Sequence, residues 1–332
     1  MSTLSANNLN IADVLRRTGS DGLVKGIAEL LDQENGLGMD IPVVEGNLPR
    51  GHLSQQRTSL PTFATRNPNG STATSKSTTD QNIESPEIIE SFSEVDEIVL
   101  NYGGDMAALK ASEVPAFQQG AIQTMTSRWI SGNQNTTPGQ INGLATRYSS
   151  TSNANGRNII LGGSLSGQTD NMSIYRINWG VGRVYGWYPR GTQGGLVVKD
   201  WGPRIVEDSA ARKVMHAVQW QWAFGISVDD WRAAARIPNI DLSLLIAGTG
   251  ADLFDKLIQT ENAVRRSGNS QGRGGIYMNT TTLMMLEIQA RNDVQAGGQL
   301  TWETVGGQRM RAFQGVPINI EDQLSEAETR VT

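Results

Sequence analysis

Residues 46–79 read GNLPRGHLSQQRTSLPTFATRNPNGSTATSKSTT and contain no aspartate or glutamate, whereas residues 80–109, DQNIESPEIIESFSEVDEIVLNYGGDMAAL, contain no lysine or arginine. The first stretch carries Arg50, Arg57, Arg66 and Lys76; the second carries Asp80, Glu84, Glu87, Glu90, Glu94, Asp96, Glu97 and Asp105. A cationic ribbon therefore abuts an anionic one. The ribbon is rich in Ser, Thr, Asn, Gly and Pro. Its main large apolar residues are Leu53, Leu60 and Phe63, too few to build a core. Two pieces, 52–58 and 60–66, read as extended. NPNG at 67–70, between these pieces and KSTT, supplies turn chemistry, because proline fixes φ and Asn-Gly favours a left-handed turn. The expectation is a long hairpin that is either disordered or laid on another surface.

Downstream, Met106, Leu109, Val114, Phe117, Ala121, Ile122, Met125, Trp129 and Ile130 recur at helical spacing. They predict a long helix over about 105–131, with Asp105 as cap, Pro115 as a kink or a first turn, and an end at Gly132–Asn133. Upstream, Ile11, Val14 and Leu15, then Leu23, Ile27, Leu30 and Leu31, predict two short amphipathic helices broken near Gly19–Gly22. They dock either on their own core or on a neighbouring subunit. Residues 135–170 read as loop. Residues 173–180, 182–189 and 194–202 read as three strands of a meander. Residues 209–222 are ambiguous, 240–265 and 280–291 helical, and a hairpin flanks Gln314–Gly315. Strands and helices do not alternate regularly, so the fold class is α+β.

A chain of 332 residues accommodates one large domain or two to three smaller ones. Its net charge of -5 argues against a general nucleic-acid binder. The absence of cysteine excludes disulfides, thiolate nucleophiles and cysteine-ligated metals. Neither a leader-like N-terminus nor an apolar run of membrane-spanning length is present, so a cytosolic protein is expected.

Motifs for chemistry are sparse. There is no P-loop, and GVGRVYG at 180–186 lacks the glycine spacing of a dinucleotide loop. His52 lies in the polar ribbon without a ligand partner nearby and reads as a solvated or hydrogen-bonded histidine, and His216, in VMHAVQW, reads as a packing residue. Asp229 and Asp230 are adjacent, and in an extended chain they point apart. Trp179, Trp187, Trp201, Trp220, Trp222 and Trp231 cluster in sequence, as core and interface anchors or as a stacking platform. No catalytic residue, cofactor or metal ligand is expected. A nucleic-acid-binding or carbohydrate-binding structural protein is the alternative reading.

One resemblance spans most of the chain. VVEGNLPRGHLSQQRTSLPTFATRN, SKSTT, ESFSEVDEIVLNYGG, SEVPAFQQGAIQTMTSRWISGN, GLATRYSS, GRVYGWYPRGTQGGL, WQWAFGISVDDWRAAARIPNID and FQGVPINIEDQL occur in order from about 41 to 324. Together they resemble the major capsid proteins of short-tailed bacteriophages, in the branch that includes the Bordetella phage shell protein. The resemblance implies the Hong Kong 97-type fold and a structural, non-enzymatic role. By position it implies an N-terminal arm at 1–45, an E-loop at 46–82, a P-domain at 83–139 with the spine helix 105–131, and an A-domain at 140–290. Residues 291–332 then return to the P-domain with a C-terminal hairpin at 302–322. Implied partners are further copies in pentamers and hexamers, a scaffolding protein, a portal, a decoration protein, and packaged double-stranded DNA held without sequence specificity. No membrane partner is implied. The implied location is the virion capsid, after synthesis in the host cytoplasm.

Under that map, Arg50, Arg57, Arg66 and Lys76 of one copy face Glu84, Glu87, Glu90 and Glu94 of its neighbour. The competing reading leaves both runs as solvated loop faces. Some relatives of the wider fold crosslink an E-loop lysine to a neighbour's asparagine. Lys76 is the hairpin's one lysine, but that chemistry also needs a desolvated carboxylate and a placed asparagine, so crosslinking is not expected.

Overall fold

The computed structural model describes residues 11–17, 33–102, 106–163, 168–208, 211–265, 273–292, 300–305 and 308–332. The chain enters through helices α1 (Ile11–Arg17) and α2 (Gly36–Asp40) and strand β1 (Val43–Glu45). A hairpin follows as β2 (His52–Ser59) and β3 (Thr78–Glu84), and the anionic stretch becomes β4 (Glu87–Asp96). Next come α3 (Glu97–Tyr102), α4 (Met106–Ala111) and α5 (Val114–Ser131). The expected single helix from 105 is thus two helices. Pro115 lies in the first turn of α5, where a missing N–H breaks no bond, and Gly132 closes that helix with its N–H on the Arg128 carbonyl. The expected cap, Asp105, and the second arm helix, with Leu23 to Leu31, lie outside the described residues.

After α6 (Leu144–Arg147) come β5 (Asn171–Asn178), β6 (Val184–Tyr188), β7 (Val197–Asp208) and β8 (Ala211–Val228). The last third holds β9 (Ala234–Asp241), α7 (Leu242–Ile246), α8 (Leu253–Arg265), β10 (Gly274–Met278), α9 (Thr280–Asn292), β11 (Leu300–Val305), β12 (Gln308–Phe313) and β13 (Val316–Ile320). The helical stretch at 240–265 is broken between α7 and α8, where Gly248 takes a left-handed φ of 73°. The hairpin at Gln314–Gly315 is present, with both residues at positive φ and Phe313 opposite Val316.

Two large sheets organise these strands. One runs β1-β6-β8-β4 with β7 also on β8; the other runs β11-β12-β13-β10-β5-β9. The three strands expected as a meander exist but do not pair with one another. Strand β5 joins the second sheet, while β6 and β7 both pair with β8. The reason is length: 18 extended residues reach about 60 Å, enough for β8 to carry β4 and β7 on its two edges between Ala211 and Phe224 and still take β6 at Gly225–Val228. The domain boundaries expected at 139/140 and 290/291 both cut hydrogen-bonded sheets. Strand β4 pairs with β8 along its whole length, and β13 pairs with β10. Turn signals mark where strands end, not which distant strand they meet.

The first core lies between α5 and β8. Met125, Trp129 and Ile130 bury against Phe224 and Ile226, with Trp129 edge-on to Phe224 at 6.0 Å. Gly225 is required there, because a Cβ would fall 2.4 Å from the Trp187 ring. A second core joins Ile174, Ile237, Ile276 and Phe313 to Phe254 of α8 and Leu286 of α9. Strands β5 and β9 are buried throughout, and their arginines are paired with carboxylates. Arg176 meets Glu261 at 2.7 Å, and Arg236 meets Glu328 at 2.7 Å. Val14 of α1 packs on Val95, Val99, Leu100 and Leu109, so the first arm helix docks on its own chain.

Candidate assembly site

The hairpin is a projection with a built root. Strands β2 and β3 pair antiparallel from His52 opposite Glu84 to Ser59 opposite Thr78. The returning strand thus lies beyond the NPNG turn, as the expected hairpin requires, and it begins in the KSTT segment and runs across the charge boundary to Glu84. The turn at 67–70 forms as its residue types require. Gly70 N–H donates to the Asn67 carbonyl at 3.0 Å, and Asn69 has φ 65°.

At the root, His52 is buried with Nε2 2.7 Å from the Tyr185 hydroxyl. That hydroxyl donates to Asp229 Oδ2 at 2.8 Å, and Asp229 Oδ1 accepts from Ser227 Oγ at 2.7 Å. A hydroxyl committed to Asp229 can only accept from His52, which places the imidazole proton on Nε2. The ring also stacks on Trp187 at 5.5 Å. Burial lowers the His52 pKa, against the opposing pull of Asp229 and Glu84. Burial and the Asp229 carboxylate together raise that of Tyr185.

Two expected inter-subunit carboxylates are engaged within the chain. Glu84 accepts from the two terminal guanidinium nitrogens of Arg147, at 2.7 and 2.8 Å. Glu87 is buried, accepts the Ile141 N–H at 3.0 Å and lies 3.1 Å from Arg128 Nε. The turn between β3 and β4 delivers both against α5 and α6, so they fasten the hairpin to the body. Glu90 stays exposed and accepts from Gln219 Nε2, and Glu94 is half-buried opposite Ala217. On the ribbon, Arg50, Arg57, Arg66 and Lys76 are all exposed. So are its apolar residues: Phe63 is 96% and Leu60 74% exposed. Sequence patterning missed the root partners Arg128, Arg147, Tyr185 and Asp229, which come from four separate segments with no shared motif.

The remaining candidates form no reactive constellation. Asp229 is held by Tyr185 and Ser227, whereas Asp230 accepts from the Arg232 backbone and guanidinium. His216 Nδ1 lies 3.3 Å from Lys110 Nζ. Trp179, Trp187 and Trp220 are buried and Trp222 and Trp231 half-buried, leaving Trp201 at 47% exposure. No cluster of three metal-ligating side chains occurs among the described residues, and none of their helices is long and apolar enough to cross a membrane.

The model of the family of major capsid protein GP7 matches residues 19–332. The chain belongs to that family. Its full length superimposes on 99% of a chain of bacteriophage Epsilon15, seen by cryo-electron microscopy, with a TM-score of 0.77 at 23% identity. It also matches the bacteriophage JBD30 capsid with a TM-score of 0.52 at 9% identity, over 91% of this chain and 95% of that one. No curated protein matches it. The fold is the Hong Kong 97-type capsid fold, and this GP7-family chain is a structural major capsid protein of a tailed phage, not an enzyme. Its copies associate with one another in the shell of the virion.

Proposed function

We propose that this protein forms pentamers and hexamers that close into an icosahedral shell, with the hairpin of each copy lying across its neighbour. One observation carries the reading. A 26-residue stretch, 57–82, is exposed almost throughout, cationic for most of its length and without a core of its own, yet springs from a rigidly packed root. Such a segment gains burial only on another surface. Arg50, Arg57, Arg66 and Lys76 meet Glu90 and Glu94 of the next copy, while Glu84 and Glu87 serve the root. Each exposed ion pair contributes at most about 1 kcal/mol, but repetition around a closed shell fixes register.

The arm is 1–45, the E-loop begins at 46 and extends through Glu84, and α5 is the spine helix. Synthesis takes place in the host cytoplasm of a short-tailed phage. A scaffolding protein guides closure, a portal and a decoration protein complete the particle, and double-stranded DNA fills it without sequence-specific contacts. Negative-stain electron microscopy of the purified chain tests this. Shells or rings of five and six support it, and a monomer at every concentration, with or without crowding agents, refutes it.

A further inference from the structure

A groove runs between α5 and the sheet beneath it. It has a volume of about 460 Å³ and is walled by Ile89, Ala116, Phe117, Gly120, Leu196 and Trp220. Phe117 and Trp220 stack at 5.3 Å and form its aromatic side. A Cβ at Gly120 would meet nothing within 4 Å, so the helix leaves the space open there. Glu90 stands at the mouth. An apolar cavity of about 150 Å³ already accepts a benzene ring, so this groove has room for a phenyl side chain and its flanking backbone.

The same chain carries the matching knob. Phe63 is almost fully exposed, and Ser75 Oγ donates to the Thr62 carbonyl at 2.9 Å, tying the two hairpin legs together beside it. Within one copy the knob and the groove do not meet. Arg66 follows three residues later, about 10 Å along an extended chain, within reach of a carboxylate on β4 when the ring is seated. The geometry points to Phe63 of one copy inserting into the α5 groove of another, between Gly120 and the Phe117–Trp220 stack. This contact rests on the shell reading above and adds an apolar lock to its charge pairing; it also makes Phe63 and Gly120 determinants of assembly. Aromatic packing of this kind specifies a single register where scattered ion pairs do not.

The test uses the full chain and two substitutions. F63A removes the knob from an exposed position, and G120L fills the groove from the helix side. Each raises the concentration needed for half-maximal assembly about tenfold, the effect of losing one buried aromatic. The F63A/G120L double variant is no worse than either single one. Urea unfolding of unassembled subunits shows whether G120L still folds, and F63A carries the test if it does not. The chain has no cysteine, so oxidising a mixture of F63C and G120C chains gives an inter-chain disulfide on a denaturing gel, and neither variant gives it with wild type. Normal assembly of F63A and no F63C–G120C disulfide overturn the lock while leaving the shell reading intact. A wild-type chain that never assembles overturns both.

Discussion

Glu321 gives the sharpest quantitative test of the fold. It is wholly buried at the end of β13, where its carboxylate accepts the Leu37 N–H at 3.1 Å and the Gln323 N–H at 3.2 Å. Those bonds fasten the segment carrying α2 to the C-terminal strand. Burial pushes its pKa up to about 7, and the neighbouring Asp322 adds to the rise, while the two backbone donors oppose it. The folded chain therefore binds a proton at Glu321 that the unfolded chain has already released. The contribution of this group to stability is fully present below about pH 4.5, falls as pH rises toward 7, and is constant above it. A difference of this size corresponds to about 3 kcal/mol across that window. Replacing Glu321 with Gln removes the titration but keeps the shape. Absolute stability shifts by a constant, because the amide leaves one backbone N–H without an acceptor. The pH-dependent part then disappears. Urea unfolding of the unassembled subunit at several pH values measures it: E321Q gains about 3 kcal/mol relative to wild type between pH 4.5 and 8. Parallel curves for the two proteins over that range would refute the reasoning.

Other outcomes follow from the same structure. Arg147→Ala strands the Glu84 carboxylate at the hairpin root and lowers subunit stability by about 3 kcal/mol in urea titration, whereas Arg57→Ala, fully on the ribbon, changes it by less than about 0.5 kcal/mol. Trp129→Ala empties the space between α5 and Phe224 and costs about 3 to 5 kcal/mol, read as a lowered Tm. Gly225→Ala forces a methyl into the Trp187 ring and costs about 1 to 3 kcal/mol by the same measurement. Reversing Arg57 and Arg66 to Glu leaves subunit unfolding unchanged but weakens assembly, most strongly at low ionic strength, as light scattering across a salt series records.

The local grammar of the chain was legible. Asn-Gly in NPNG made the turn at 67–70, Pro115 and Gly132 bounded α5, and the apolar stripe through Met125 and Trp129 marked the buried face of that helix. What stayed hidden was non-local pairing. Nothing near Val197 or Val184 announces that both flank β8. The charge boundary was visible, but its division of labour was not. Glu84 and Glu90 look alike in sequence, and only the positions of Arg147 and Gln219 separate a root anchor from an exposed carboxylate. His52 likewise reads as a solvated or hydrogen-bonded ribbon histidine, and only β6, by placing Tyr185 and Trp187 around it, decides for the hydrogen bond.

The most direct test of the central claim is a cryo-electron microscopy reconstruction of the particle assembled from this chain. The account predicts an icosahedral shell in which residues 57–82 of each copy cross β4 and α5 of its neighbour, with Phe63 buried beside Trp220. A shell in which that hairpin projects freely, or folds back along its own subunit, would contradict it.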